Sequence, residues 1–320
     1  MFRRVRQDAT LLRRIVTFTH LPATAHTYTY LLKSKLENQL GAASNLPAEA
    51  ALQRSWARIV GLYNTCDLQR ESDKLPGITG LGRELASVSG QTFCAGVWLE
   101  DISRCLYWSA AKVSNGFRAL EKQPLARAPS WSWAGWHGPV VMGQFVAETD
   151  TGRPWVSSGT FTAAKQGNFE QIELYAHYWP GVVVKKPTNG PHAASGWTND
   201  AWWKFDPFRV PLDQHLQEFS RYELVIQTNF AGDDAICGWF VPDDATRIPE
   251  KVTCIVLYTE SVRNSKTGRA AFGYYILVVQ ELDEARKHER LGIGVAVSCQ
   301  DRISQRWYGR EKPTTARVLV

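Results

Sequence analysis

Two acidic pairs, Asp233-Asp234 and Asp243-Asp244, come nearest to a paired-carboxylate centre in this 320-residue sequence. Acid–base chemistry at such a centre needs environments that hold one carboxyl protonated and the other ionised. Each pair here follows Gly or Pro, the usual setting of turn-forming Asp, so both are expected in turns. His137, His177 and His192 are spaced too loosely to be read as metal ligands. The six cysteines, Cys66, Cys94, Cys105, Cys237, Cys254 and Cys299, show no CxxC spacing. They are expected as free, mostly buried thiols of a reducing compartment. The chain contains no GxGxxG, Walker, HExxH or GxSxG sequence. No metal, no cofactor and no catalytic residue is therefore expected, with the reservation that triads assemble in space.

The densest feature is aromatic. Thirteen tryptophans are several times ordinary usage, and the run Arg127–His137 reads Arg-Ala-Pro-Ser-Trp-Ser-Trp-Ala-Gly-Trp-His. In an extended chain Trp131 and Trp133 would share one face, with Ser130, Ser132 and Ala134 on the other. Two adjacent indoles make a slab of roughly 400–500 Å². Such a slab serves either as a stacking platform for sugars or bases, or as a structural plug with small residues packed behind it. The plug is the expected role.

Charge narrows the partners. The net charge is +6, but residues 1–40 carry +5 and residues 301–320 carry +3, leaving −2 on 41–300. A nucleic-acid binder shows its basic stripe on the folded body, with aromatics interleaved, so no nucleic acid is expected. No apolar run approaches the ~18 residues of a membrane helix, so no helical span is expected. Arg3, Arg4, Arg6, Arg13 and Arg14 could pass for a mitochondrial presequence; a short basic segment of a cytoplasmic protein is the expected reading.

The elements that position these residues follow from periodicity. In 47–64 the spacing of Ala48, Leu52, Trp56, Ile59 and Tyr63 predicts a helix. A second begins near Ser72, with Leu75, Ile78, Leu81, Leu85 and Val88 as its stripe, and a third covers about Leu99–Trp108. Gly77, Gly80 and Gly82 weaken the second helix and allow close approach. Strands are expected at Val140–Val146, Gln171–His177, Tyr222–Thr228, Val252–Thr259, Gly273–Gln280, Gly294–Ser298 and Arg317–Val320. A hairpin should turn near Asn264–Gly268, and 186–213 should be a long excursion bearing four prolines. Helices and strands do not alternate, which argues against a parallel sheet. The expected fold is α+β, a helical N-terminal third packed on a mostly antiparallel, sandwich- or barrel-like C-terminal portion. Its parts are a basic segment 1–45, a helical segment 46–125 and a β-rich region 126–320, with 46–320 as one compact unit.

A resemblance enters at the tryptophan run. Ala128-Pro129-Ser130-Trp131-Ser132-Trp133-Ala134 resembles the "APSWSWAS" signature of fungal heterokaryon-incompatibility (HET domain) proteins, found downstream of their core. Trp56, Ile59-Val60 and Tyr63 resemble the family's "W..IV..Y" helix, and Asp73-Lys74-Leu75 with Ile78 and Gly80 resembles "DKLPALSGLA". Ala95-Gly96-Val97-Trp98, then Leu106 and Trp108, resembles "AGLW…LLW". Gly238-Trp239 up to Asp243 resembles a later "G…D" strand, and Arg290-Leu291-Gly292-Ile293-Gly294 the closing "YERIGIG". The resemblance runs from about residue 52 onward. Departures are Cys66 and Gln69 for Arg and Thr, Gly135-Trp136-His137 for an "S.DG"-like continuation, and His288 for Tyr.

The resemblance implies a role in non-self recognition and programmed cell death. The family's "LSYxWG" strand and "WIDxxCINQ" helix have no counterpart before residue 50, so no residue of that core is carried over. The expected function is a non-catalytic regulatory or interaction region with protein partners, among them full-length HET-type proteins. The alternative is a carbohydrate-binding or carbohydrate-processing β-domain with exposed tryptophans. An intrinsic hydrolase has only unplaced His and Asp residues in its favour.

Overall fold

The computed structural model describes residues 73–110, 128–138, 169–185, 222–226, 236–263 apart from 245, 270–282, 287–298 and 316–320, with shorter stretches inside 56–64, 112–122, 140–142 and 153–163. The basic segment 1–45 and the excursion 186–213 lie outside the described residues.

Helical backbone at Trp56, Ala57, Ile59, Val60, Gly61 and Tyr63 (α1, within 56–63) buries Trp56, Ile59 and Val60. α2, Lys74–Ser89, buries Ile78 and Leu85 and rests Leu75 and Leu81 against the same core. Of its glycines, Gly77 lies under the Tyr63 hydroxyl and Gly82 under the Phe93 ring, whereas Gly80 meets nothing. α3 is a single turn, Ile102–Cys105.

What surrounds these helices is strand. β1 (Phe93–Cys94) and β2 (Val97–Trp98) form a hairpin about Ala95-Gly96. β3 (Trp108–Ala110) pairs antiparallel with β4 (Val140–Met142). Two-residue ladders join Lys112–Val113 to Gly116–Phe117 and Glu121–Lys122 to Trp136–His137. This overturns the expected α+β division. Among the described residues no helical third packs on a β portion; strand residues outnumber helical ones, and the helices sit among strand pairs. The expected helix Leu99–Trp108 shrinks to α3, because Trp108 leaves it for a strand, where cross-strand packing favours aromatics, and Tyr107 reaches the Gly294 carbonyl instead.

The remaining strands are β5 (Ser157–Ala163), β6 (Phe169–Tyr175), β7 (Tyr178–Lys185), β8 (Tyr222–Ile226), β9 (Ile236–Pro242), β10 (Lys251–Arg263), β11 (Ala270–Glu281), β12 (Lys287–Ser298) and β13 (Ala316–Leu319). Six of them close on themselves in the order β7-β8-β9-β12-β11-β10, every pairing antiparallel, which makes a barrel. Its bore holds Trp179, Leu224, Phe240, Cys254, Tyr274 and Ile276. A six-strand bore is narrow, so bulky residues on one wall require small ones on another. β12 supplies the small wall. A Cβ on Gly292 would fall 2.2 Å from the Val241 carbonyl oxygen, and one on Gly294 2.4 Å from that of Trp239. Gly238 on β9 is equally tight, 2.7 Å from the Val295 oxygen.

The barrel's outer face carries the larger core. Ile255, Leu257, Tyr275, Leu277, Ile293 and Val295 pack beneath the Trp56–Met142 layer in one cluster. β11 is thus buried on both faces from Tyr274 to Val279, which explains its unbroken apolar run. β5 and β6 lie outside the ring and join it through β13. The strands expected near 171, 222, 252, 273, 294 and 317 all overlap observed ones. β5 and β7 were not legible: the first reads Ser-Ser-Gly-Thr-Phe-Thr-Ala, and the second is interrupted by Pro180-Gly181 at a register shift.

Candidate functional site

The residues of the tryptophan run do not lie extended. Ser132 N donates to the Pro129 carbonyl at 3.0 Å, and Trp133–Gly135 form a 3-10 turn. Ser132 opens that turn by accepting from Ala134 N at 3.1 Å and donates to the Ala95 carbonyl at 2.6 Å. A Cβ at Gly135 would sit 3.0 Å from the Pro129 carbonyl oxygen, so the turn needs its glycine. Trp131 and Trp133 are both 0% exposed. Neither offers a face for stacking, and the plug is what the structure contains.

Around this turn the chain's own carbonyls collect indole N–H groups. The Gly96 carbonyl accepts from Trp56 at 3.1 Å and from Trp133 at 2.9 Å. Gly96 adopts φ +90°, and a Cβ there would lie 3.0 Å from the Trp133 ring nitrogen, so only glycine brings this acceptor so close. Trp136 donates to the Ser130 carbonyl at 3.0 Å and Trp108 to that of Trp131 at 3.1 Å. The buried Lys74 ammonium donates to the Trp136 carbonyl at 2.6 Å and stands 5.5 Å over the Trp133 ring. Tyr63 donates to the Lys74 carbonyl and meets Trp133 edge-on. Trp98 packs edge-on against Trp56 and Phe93. The Ser130 hydroxyl bonds the Val320 carbonyl.

The second centre is ionic. Arg290 on β12 and Asp243, just past β9, pair with no exposed side-chain surface, Nε to Oδ2 at 2.6 Å and Nη2 to Oδ1 at 3.2 Å. Nη1 and Nη2 also donate to the carbonyls of Leu106 and Trp108. Burial pushes the Asp243 carboxyl above its ordinary value, and the Arg290 guanidinium beside it pulls the other way. The guanidinium meets the carboxylate in a fork, with two N–H groups on its two oxygens.

A bulge aims this arginine. On β12 Ile293 and Val295 face the outer core, so strict alternation would send Arg290 into the bore and Leu291 outward. The register shift opposite Val278/Val279 reverses the two: Leu291 joins the bore and Arg290 reaches Trp108.

The predicted residues divide cleanly. Trp56, Tyr63, Lys74, Gly96, Trp98, Pro129, Ser130, Trp131, Ser132 and Trp133 meet in the tryptophan network, and Asp243 with Arg290 forms the ionic centre. Gly238 and Gly292 line the barrel wall, Leu75 rests on the core, and Asp73 is exposed at the start of α2 with no capping bond from its side chain. The chain does bend at Asp243-Asp244, just past β9, and there the Asp244 carboxylate accepts from Thr246 N at 2.8 Å. The Asp243 side chain is committed to Arg290 rather than to the turn, and Asp233-Asp234 lie outside the described residues. Sequence reasoning missed the Arg290 acceptors on Leu106 and Trp108 and the Tyr107 hydroxyl bond to the Gly294 carbonyl at 3.0 Å. Backbone acceptors leave no side-chain signature to find.

Cys94, Cys105 and Cys254 are free and buried, and burial raises all three thiols, Cys94 to about 12. Such thiols are inert as nucleophiles. His177 is lowered by burial. The His137 side chain, His192, Cys66 and Cys299 lie outside the described residues. Among the described residues no group of three or more His, Cys, Asp or Glu side chains is placed to hold a metal ion, and no helix is long and apolar enough to cross a membrane. No protein-family model, curated protein or solved structure matches the chain.

Proposed function

We propose that this chain is a non-catalytic regulatory or interaction region of the kind found downstream of the core in HET-type incompatibility proteins. It acts in the cytoplasm through protein partners, full-length HET-type proteins among them. The observation that carries the reading is the meeting of four separate look-alike segments at the Gly96 carbonyl. Trp56 and Trp133 donate to it from either side, and Lys74 covers Trp133. Residues of the resembling motifs therefore bond to one another as parts of one folding unit. The indole N–H groups of Trp56, Trp108 and Trp133 are spent on the chain's own backbone carbonyls.

The carbohydrate reading needs exposed indoles. Among the described tryptophans, Trp131 and Trp133 are fully buried, and a sugar would have no ring face there to stack on. The test is expression of residues 1–320 in a fungal host, alone and beside a full-length HET-type protein. The expected result is no death alone and a changed death response with the partner. Detectable NAD loss from the highly purified protein, or an unaltered partner response, would overturn the proposal.

A further inference from the structure

β13 occupies a slot with two edges. On one side Ile172–Tyr175 of β6 pair antiparallel with Leu319–Ala316. On the other side Lys287 and His288 of β12 pair parallel with Val318 and Leu319, in contrast to the antiparallel pairings throughout the barrel. The slot exists because β9 does not cover the whole of β12. Its last rung is Pro242 opposite Gly292, and beyond it Asp243 N donates to the Leu291 carbonyl at 2.8 Å before the chain turns away. The β12 edge below that rung is left for β13. Leu319 plugs the slot, fully buried in the main core, and Val320 N donates to the His288 carbonyl at 3.1 Å.

Parallel pairing constrains how a chain can fill this slot. From Ser298, the end of β12, the chain must return past Lys287, the start of that strand, before Ala316 can enter. That return covers about 40 Å at the ~3.3 Å rise of a strand. The 18 peptide steps from Ser298 to Ala316 reach at most ~60–65 Å. About two-thirds of the covalent reach is spent on self-insertion. Entry from a neighbouring copy replaces that return along its own strand by a span between the two copies, drawn from the same 18 steps, and an identical strand makes identical bonds in the slot.

We propose that β13 is an exchangeable strand, and that the β6/β12 slot of one copy takes β13 of a second copy to give a reciprocal dimer. Exchange of an identical element needs no new interface, since every contact on β6, β12, Ser130 and His288 is reused. Leu319 sets the register and the β6 and β12 edges set the direction, so the occupant is this strand and not an arbitrary peptide.

The test mixes two single variants of the full chain, Lys287→Cys and Val318→Cys, which replace facing residues of the parallel pair. Neither variant can form the new disulfide within itself. After co-incubation and mild oxidation with oxidised glutathione, a cross-linked dimer should appear on non-reducing gels. Its fraction should grow several-fold as protein concentration rises tenfold, and it should stay at background in either variant alone. Adding Leu319→Asp to the Val318→Cys chain should return it to background. The proposal is overturned if the mixture gives no dimer above the single-variant background while the double variant Lys287→Cys/Val318→Cys closes its bond within one chain. The mixture contains this protein alone, so its outcome is separate from any effect on a HET-type protein.

Discussion

The Arg290 guanidinium lies over the Trp108 indole, its Cζ 3.5 Å from the ring centroid, and donates to the carbonyl of that same residue. One side chain thus grips both the ring and the backbone of Trp108, while Asp243 balances its charge from the barrel side. This ties the tryptophan layer to the barrel.

Removing one member of a buried ion pair leaves the other uncompensated. Arg290→Met is expected to cost about 3–5 kcal/mol in a urea titration, and Asp243→Leu a similar amount. The double variant should lose clearly less than the two losses combined. Strict additivity would show that the two side chains do not act as a pair.

Trp131→Ala should cost about 3–5 kcal/mol, as truncation of buried aromatics does. Trp131 Nε1 has no hydrogen-bond partner among the described residues, whereas Trp108 Nε1 donates to the Trp131 carbonyl. Trp131→Phe should therefore be milder than Trp108→Phe, by about 1 kcal/mol or more. The reverse order in chemical denaturation would contradict the assigned bonds.

Two glycines should respond with opposite sign. Gly96→Ala forces a side chain into φ +90° against the Trp133 ring and should cost at least about 1–3 kcal/mol. Gly80→Ala, inside α2 with open space around it, should stabilise by about 0.5–1 kcal/mol. Thermal melts of the two variants decide the point, and a stabilised Gly96→Ala would refute the tight approach to Trp133.

The thiols set an alkaline limit. An unfolded cysteine ionises near ~8.5, while burial keeps Cys94 protonated up to about 12 and raises Cys105 and Cys254 as well. Above pH ~8.5 the unfolded chain releases protons that the native chain retains, so this contribution is whole below that pH and is lost as pH rises toward 12. Denaturation midpoints should fall between pH 8 and pH 10, and Cys254→Ala should fall less steeply. An identical slope in that variant would remove the thiol from the account.

How much was legible depended on whether a signal was local. β11 announced itself through an apolar run long enough to be a strand and too short to be anything else. α2 did so through its stripe, in spite of three glycines. Burial of Trp131 and Trp133 followed from the small residues between them, although the extended backbone behind that reasoning was wrong, since Ser132 caps a 3-10 turn. The α+β division failed because Phe93–Ala110 packs its aromatics on strands of two or three residues, below the length at which any period shows. Arg290 was placed by resemblance alone; alternation along β12 would have put it inside the barrel, and one bulge moves it out.

The bonds that bind the tryptophan layer to the barrel are among the longest in sequence, with Arg290 184 positions from its acceptor Leu106 and Tyr107 187 positions from Gly294. At roughly 5–20 residues per second, a ribosome takes about 10–35 s to make the stretch between those partners. For most of that interval Trp56, Trp98, Trp108, Trp131 and Trp133 have been synthesised, and the barrel that covers them cannot close until β12 has followed. Until then the nascent chain presents an indole-rich surface to whatever waits at the exit tunnel, and its yield in a cell is expected to respond to chaperone supply as well as to the stability of the finished fold.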